Sequence, residues 1–225
     1  MTVSSTQEMY LIADELRAVA NLGLMFPESH YDRGRSERVL AASARLIAAL
    51  DRRSPDEVLA QFKGDLSHVS PHSGANSAVF RDGRTLLIRR EDDGLWAMPG
   101  GMADVGETLA EAAERELWEE ANVRGRATRL LGVFDTRFTG GRVRTQGYVA
   151  LFLVEAGHGE PRAGQETTGV GYYAEDELPD LSPHHRTKVP LAFRLHRNEV
   201  PVPYFDPPGK SNQGDASTSL EPSQD

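Results

Sequence analysis

The sequence of 225 residues contains no cysteine. This absence excludes a disulfide framework, a thiol nucleophile, and any zinc or iron–sulfur site with cysteine ligands. Any metal ion bound by this chain must therefore use other ligands, such as carboxylate or carbonyl oxygens.

Long apolar runs and an excess of positive charge are also missing. No apolar stretch approaches the roughly 18 residues of a membrane-spanning helix, and the N-terminus lacks a basic region followed by an apolar core. The formal net charge of −9 argues against general binding to nucleic acid or anionic membranes. We therefore expect a cytoplasmic protein without a membrane or nucleic acid partner, although a local metal site would still admit a small anionic substrate.

The chain divides into segments of different character. A disordered start (1–7) precedes a helical N-terminal extension (8–64), in which apolar residues recur every three or four positions. A polar linker rich in turn-forming residues (65–74) follows, and then a region of alternating strand and helix patterns (75–206). The last segment (207–225) has almost nothing to bury, which predicts a disordered tail.

The extension is predicted to contain two long helices and one short helix. Ser54-Pro55-Asp56-Glu57 is typical of a helix start, with proline at the first helical position and acidic residues in the first turn. Because two amphipathic helices do not bury their apolar faces alone, we expect these helices to pack on the following domain or on a second subunit.

The region after the linker is predicted to be α/β with a mixed sheet. Asp82-Gly83 lies between apolar runs and is a strong hairpin signal. Further strand candidates lie at 126–138, 146–156 and 169–178, on both sides of a predicted helix at 108–121. Strands that flank one strong helix in this way favour a layered α/β architecture.

That helix carries an unusual cluster of acidic residues. At 100° per residue, an apolar stripe faces the sheet, and Glu116, Glu119 and Glu120 lie within about 100° of one another beside it. Glu111 and Glu114 point elsewhere and are expected to be solvated charges. One interpretation of the cluster is likewise a solvated acidic face. The other is a site for Mg²⁺ or Mn²⁺, because the preceding glycine-rich segment, MPGGMADVGE, lets the backbone pass close to the carboxylates.

The spacing of these residues resembles the Nudix box. That pattern fixes a glycine, a glutamate, an Arg-Glu pair and a double glutamate, and the matching residues here are Gly101, Glu107, Arg115, Glu116, Glu119, Glu120 and Val123. One position departs, since the family usually has glycine where Asn122 stands. Asparagine is the next best residue for the left-handed conformation that ends a helix.

The resemblance implies an α/β/α sandwich that cleaves a nucleoside diphosphate linked to another group. Glu116 and Glu120 would be the main metal ligands, with Glu119 close by and the Gly100 carbonyl assisting. Arg115 and Glu107 would orient the catalytic helix through charge-assisted hydrogen bonds. The general base varies across the family, and it is left open here among Glu116, Glu119 and Glu166.

The resemblance extends over most of residues 8–206. The helical extension, the linker and the segments LPDLSPHHR and VPVPYFD are similar to Nudix hydrolases described as CDP-choline or ADP-ribose pyrophosphatases. In that layout the extension packs between subunits. The resemblance therefore implies a homodimer that acts on a small nucleotide-derived substrate.

Four further residues are candidates for substrate binding, and each has an alternative. Arg89 and Arg90 lie just before the glycine loop, within reach of phosphate, or they form a charge pair on an edge strand. Trp96 stacks on a base or anchors the core. Arg142 belongs to a glycine-containing loop that closes on an anionic ligand or remains a solvated hairpin turn. The paired histidines at 184–185 are expected at the surface.

Two other functions compete with small-molecule hydrolysis. A catalytically silent Nudix-like regulatory module is disfavoured by the intact Arg115, Glu116, Glu119 and Glu120. An RNA-end pyrophosphohydrolase is disfavoured by the acidic charge and the lack of a basic stripe.

Overall fold

The computed structural model of the protein describes residues 5–140 and 145–207. The predicted tail beyond residue 207 and the first four residues lie outside these ranges. The first helix begins at Ser5, so the prediction that disorder continues to residue 7 is wrong.

The extension consists of three helices, as predicted. They are α1 (Ser5–Met25), α2 (His30–Asp51) and α3 (Pro55–Gly64). The side chain of Ser29 caps α2 by accepting from the Asp32 N–H, and α2 ends at Arg52 in the left-handed conformation, with φ of 57°. Proline at the first position of α3 matches the predicted helix start.

These helices bury a core of their own. Its members come from all three helices: Ala13, Ala20, Leu24, Leu40, Ala44, Ile47, Ala48, Val58 and Phe62. The premise that the helices of the extension cannot bury their apolar faces among themselves is therefore wrong. The reason is that α2 packs on both α1 and α3, so each helix supplies cover for its neighbours.

The rest of the described chain contains nine strands in two sheets. The strands are β1 (His72–Ala78), β2 (Phe80–Arg81), β3 (Arg84–Arg90), β4 (Trp96–Ala97), β5 (Gly100–Met102), β6 (Gly125–Asp135), β7 (Gly147–Ala156), β8 (Thr167–Tyr173) and β9 (Tyr204–Phe205). The larger sheet has the order β5-β1-β7-β6-β9, and β2, β4 and β8 all pair with β3 in the smaller sheet. Pairs β1–β7 and β6–β9 are parallel, whereas the other pairs are antiparallel. The larger sheet is thus mixed, as predicted, and β1 begins three residues inside the predicted linker.

The two sheets lie between helices α4 (Leu109–Ala121) and α5 (Lys188–His196). Alternate residues of β3 face opposite sides: Leu86 and Ile88 pack with α4, while Leu87 packs with α5. This alternation produces an apolar core on each face, which is the layered α/β/α arrangement expected from the sequence. Among the described helices, none is long and apolar enough to cross a bilayer.

Candidate active site

Helix α4 presents the clustered glutamates beside an apolar stripe that is buried against the sheet. Ala113, Leu117 and Ala121 of the predicted stripe are fully covered. The helix starts at a capping box, in which Thr108 and Glu111 exchange side-chain and backbone hydrogen bonds. The prediction that Glu111 and Glu114 are merely solvated is wrong, since Glu114 also accepts a hydrogen bond from the Ala127 N–H at 2.8 Å.

Arg115 joins four parts of the site. Its guanidinium binds both carboxylate oxygens of Glu107, with the Nε–Oε1 distance at 2.8 Å and the Nη2–Oε2 distance at 3.0 Å. Its Nη1 donates to Glu116 at 2.9 Å and to Glu119 at 3.0 Å, and Nη2 donates to the Met102 carbonyl at 3.0 Å. These bonds raise the pKa of Arg115, and Arg115 in turn lowers the pKa of Glu107. The glycine loop and α4 are therefore held together by one fixed cation.

Two glycines allow the loop to pass directly against the acidic face. Gly100 has φ of 152°, and a Cβ there would lie 2.2 Å from the Ala75 carbonyl oxygen. A Cβ on Gly101 would lie 2.3 Å from a carboxylate oxygen of Glu116. The Gly100 N–H donates to Glu120 at 2.8 Å. No larger residue fits between this backbone and these carboxylates.

The glutamates of this face are electrostatically strained. Burial, together with the neighbouring charges of Glu116 and Glu166, raises the pKa of Glu120 to about 7, although the bond from Gly100 opposes the change. Burial also raises the pKa of Glu116, although Arg115 opposes the change. A cation placed among these groups would relieve both effects.

The donor set is compatible with a hard divalent cation. In the segments that the structure describes, no three Asp, Glu, His or Cys side chains converge as a ready-made metal cluster. Instead, Glu116 and Glu119 each bond Arg115, and Glu120 bonds Gly100, through one oxygen. The second oxygen of each carboxylate makes no hydrogen bond to a described residue. Free carboxylate oxygens at one helix face are the ligands that Mg²⁺ and Mn²⁺ prefer.

The end of α4 also positions Glu166. Asn122 adopts the predicted left-handed conformation, with φ of 52°. Its side chain donates to the carbonyls of Arg162 and Ala163 at 3.1 and 3.2 Å. Gly164 donates to the Glu120 carbonyl at 3.0 Å, and a Cβ at Gly164 would lie 1.7 Å from a backbone oxygen of α4. The asparagine that departs from the family pattern thus ties down the segment that carries Glu166.

A cavity of 460 Å³ opens beside the glycine loop. Of the predicted residues, Arg90, Gly100, Glu120 and Glu166 line it. Its other lining residues are Ile88, Glu91, Asp92, Ala97, Met98 and His185. The side chain of Arg90 also forms an ion pair with Asp92. The cavity therefore combines an apolar wall with charges of both signs, as small-molecule sites commonly do.

Two of the predicted substrate residues, Arg89 and Trp96, are not among the residues that line this cavity. Arg89 donates to the Gly94 carbonyl at 2.9 Å. Trp96 packs edge-on against Tyr173, with ring centroids 4.9 Å apart, so it has the core role that was its alternative. Arg142 lies outside the described residues.

His185 is the residue that sequence reasoning missed. The expectation of a surface position is wrong, because its side chain is only 7% exposed. Its Nδ1 accepts a hydrogen bond from the Met98 N–H at 3.1 Å. The short turn Pro183–His185 precedes α5, but nothing in its spacing relates it to β4 or to the glycine loop.

Comparisons with known proteins agree with this geometry. The NUDIX domain family matches residues 70–192. A Bacillus subtilis (strain 168) protein named putative ADP-ribose pyrophosphatase YjhB is 31% identical over 182 residues, which cover 80% of this chain and 88% of that protein. The chain belongs to the Nudix family and is a Nudix hydrolase.

Solved structures extend the likeness into the helical extension. The crystal structure of a UDP-X diphosphatase has a TM-score of 0.57 and 25% identity, covering 90% of this chain and 100% of that chain. An ADP-ribose pyrophosphatase from Streptococcus suis 89-1591 has a TM-score of 0.52 and 27% identity, covering 61% of this chain and 100% of that chain. The Nudix fold with a mixed sheet and preceding helices is thereby confirmed.

Proposed function

We propose that this protein is a metal-dependent hydrolase of nucleoside diphosphates linked to a second group. The observation that carries the proposal is the contact between the acidic face of α4 and the glycine loop, beside a cavity large enough for part of a nucleotide. The names of the relatives, ADP-ribose pyrophosphatase and UDP-X diphosphatase, support the same substrate class.

Glu116, Glu119 and Glu120, with the Gly100 carbonyl, would hold Mg²⁺ or Mn²⁺. A divalent cation bound there would neutralise the negative charge of the diphosphate and lower the pKa of a water molecule bound to it. Arg115 and Glu107 keep the glutamates in place through the fork of hydrogen bonds described above. Arg90 lies at the cavity wall, and its Nη1, which Asp92 does not engage, would donate to a phosphate oxygen.

Three glutamates remain candidates for the general base. Glu116 is largely buried and bonded to Arg115, with its side chain 15% exposed. Glu119 is 56% exposed at the same guanidinium, and Glu166 lines the cavity. We favour Glu166, because it faces the substrate space and its segment is tied to α4 rather than to Arg115.

The substrate class is ADP-ribose, a UDP-sugar or CDP-choline. Cleavage at the diphosphate bridge yields a nucleoside monophosphate and a phosphorylated second fragment. Hydrolysis in oxygen-18 water, followed by mass spectrometry, locates the attacked phosphorus. Release of orthophosphate or pyrophosphate as the main product would reject this substrate class. Tight binding of the nucleotide ligand without turnover at saturating Mg²⁺ would instead favour a regulatory module. Hydrolysis of capped RNA, with no hydrolysis of the small substrates, would favour an RNA-end pyrophosphohydrolase.

We also propose a homodimer in which residues 8–62 contribute to the contact. Although the three helices share a core, α1 and the residue after it still expose large apolar side chains, namely Met9, Ile12, Val19, Leu22, Met25 and Phe26. Large exposed apolar side chains that recur along one helix in this way favour an interface. Sedimentation at micromolar concentration should show a dimer that Val19→Asp weakens. The control Leu66→Asp, at an exposed apolar position outside residues 8–62, should leave the dimer intact, and a wild-type monomer would contradict the proposal.

A further inference from the structure

His185 lies in the short turn before α5 and also lines the cavity. It is held by the turn before α5, where its own N–H donates to the Ser182 carbonyl at 2.8 Å, and Ser182 in turn donates to the Trp96 carbonyl at 2.8 Å. Its imidazole accepts a hydrogen bond from the Met98 N–H. The ring is therefore fixed in orientation before any ligand arrives.

The contact with Met98 determines which ring nitrogen carries the proton. A backbone N–H can only donate, so Nδ1 must accept and must be unprotonated. The proton of the neutral ring is then on Nε2, as a donor. Nε2 makes no hydrogen bond to any residue between 5 and 140 or between 145 and 207. Burial lowers the pKa of His185, and nearby Lys188, His184 and Arg90 lower it further, which keeps the ring neutral.

The surroundings of His185 resemble a site for a flat heterocycle more than a site for phosphate. Ile88, Ala97 and Met98 supply apolar surface from β3, β4 and the segment that follows. The charged groups suited to the diphosphate are Arg90 and, through a bound divalent cation, the glutamates of α4. A neutral N–H donor beside apolar surface instead suits an uncharged acceptor, such as a carbonyl oxygen or ring nitrogen of a nucleobase.

We infer that His185 recognises the nucleobase of the substrate, by donating a hydrogen bond from Nε2 to an acceptor atom on the edge of the base. The inference rests on the proposed function, because it names the residue that selects among nucleoside diphosphate compounds. Selectivity among nucleobases would then come from His185. The site that binds the diphosphate cannot provide it, because the diphosphate is the same in every nucleoside diphosphate compound.

Two substitutions separate this role from the structural contact. His185→Asn retains an acceptor in the place of Nδ1, so the bond from Met98 can persist while the Nε2 donor is lost. His185→Gln places an amide where Nε2 stood and should restore part of the contact. His158→Asn, on an exposed loop position, is the matched control. Melting temperatures of all variants establish that each one is folded.

The assay uses ADP-, GDP-, CDP- and UDP-glucose, which differ only in the base, with Mg²⁺ at saturation. We expect His185→Asn to raise KM for the preferred base by about five- to tenfold, the scale of one neutral hydrogen bond, with a smaller change in kcat. KM for the poorest base should change little, and His185→Gln should recover part of the loss. An equal KM increase for all four bases, or no change for any, would overturn the inference.

A second measurement distinguishes this failure from failure of the proposed function. Calorimetric binding of AMP, GMP, CMP and UMP requires no turnover. If wild type hydrolyses none of the glucose compounds but binds one monophosphate about five- to tenfold better than His185→Asn does, the proposed function fails and base recognition stands. If none of the monophosphates binds and none of the glucose compounds is cleaved, the inference about His185 is wrong as well.

Discussion

Replacement of Glu120 by glutamine should have opposite effects on activity and on stability. Glu120 accepts the Gly100 N–H through one carboxylate oxygen at 2.8 Å. Glutamine has the same length and keeps an oxygen acceptor, so the loop and α4 can remain joined. The substitution therefore removes the negative charge and little else.

The size of the stability effect follows from the pKa of Glu120. Burial, together with the charges of Glu116 and Glu166, raises this pKa from 4.5 to about 7, and a change of one pKa unit corresponds to about 1.36 kcal/mol. Since the folded-state pKa is raised, the folded protein binds the proton more tightly than the unfolded chain does. This contribution is fully present below pH 4.5 and is lost as the pH rises through about 7. At pH 8.5 without divalent cations, the wild type should be less stable than Glu120→Gln by up to about 3 kcal/mol.

The activity effect has the other sign, because the same charge would face the cation. Turnover of a nucleoside diphosphate substrate at saturating Mg²⁺ should fall by about two orders of magnitude or more, the scale of losing a main electrostatic contributor. Added Mg²⁺ should stabilise the wild type more than the variant, since only the wild type keeps the full ligand charge.

Urea denaturation measures the free energy of unfolding at pH 5 and pH 8.5, with EDTA or with Mg²⁺. The control is Glu155→Gln, an exposed acid on β7, which should change neither stability nor activity. Near-normal turnover of Glu120→Gln at saturating Mg²⁺ would refute the metal role. A variant that is no more stable than wild type at pH 8.5 in EDTA would refute the argument from burial.

Substitutions at three other positions test separate features of the structure. Arg115→Lys cannot form the fork to Glu107, so we expect at least about a tenfold lower turnover and a higher Mg²⁺ requirement, read from activity against Mg²⁺ concentration. Asn122→Ala removes two side-chain hydrogen bonds and forces alanine into the left-handed conformation, so the free energy of unfolding in urea should fall by about 1–3 kcal/mol. Asn122→Gly relieves the strain of the left-handed conformation but not the loss of the hydrogen bonds, so it should recover only part of this loss. Burial lowers the pKa of Lys188 from 10.5 to about 8. Because the unfolded chain then binds more protons between these values, wild-type stability should rise relative to Lys188→Met by roughly 1–2 kcal/mol from pH 7.5 to 9.5.

The parts of the fold that could be predicted from the sequence depend on local periodicity. The buried stripe of α4 follows from the 3.6-residue repeat, and the Asp82-Gly83 hairpin follows from turn chemistry, with φ of 48° and 73° at the two positions. The capping box of Thr108 and Glu111 also depends only on neighbouring residues. Its S/T-x-x-E pattern is visible in the sequence and would have predicted the start of α4.

The errors concern contacts between residues distant in sequence. Glu114 bonds Ala127, and His185 bonds Met98, 87 positions away. Neither partner is indicated by spacing, because each contact depends on how separate elements pack. The prediction about the extension was wrong for the same reason. The periodicity of its sequence shows that apolar faces exist, but it does not show that α1, α2 and α3 cover one another.

Asn122, which stands where the family usually has glycine, meets a local requirement for a left-handed φ and also makes contacts with residues distant in sequence. Glycine at position 122 would satisfy the left-handed φ alone. Asparagine satisfies it as well and also binds the carbonyls of Arg162 and Ala163. The same end of α4 accepts bonds from Gly164 and Thr167 through the Glu120 carbonyl. The segment that carries Glu166 is therefore anchored to the residue whose own carboxylate contacts the glycine loop. This anchoring couples the position of a candidate base to the position of a candidate metal ligand.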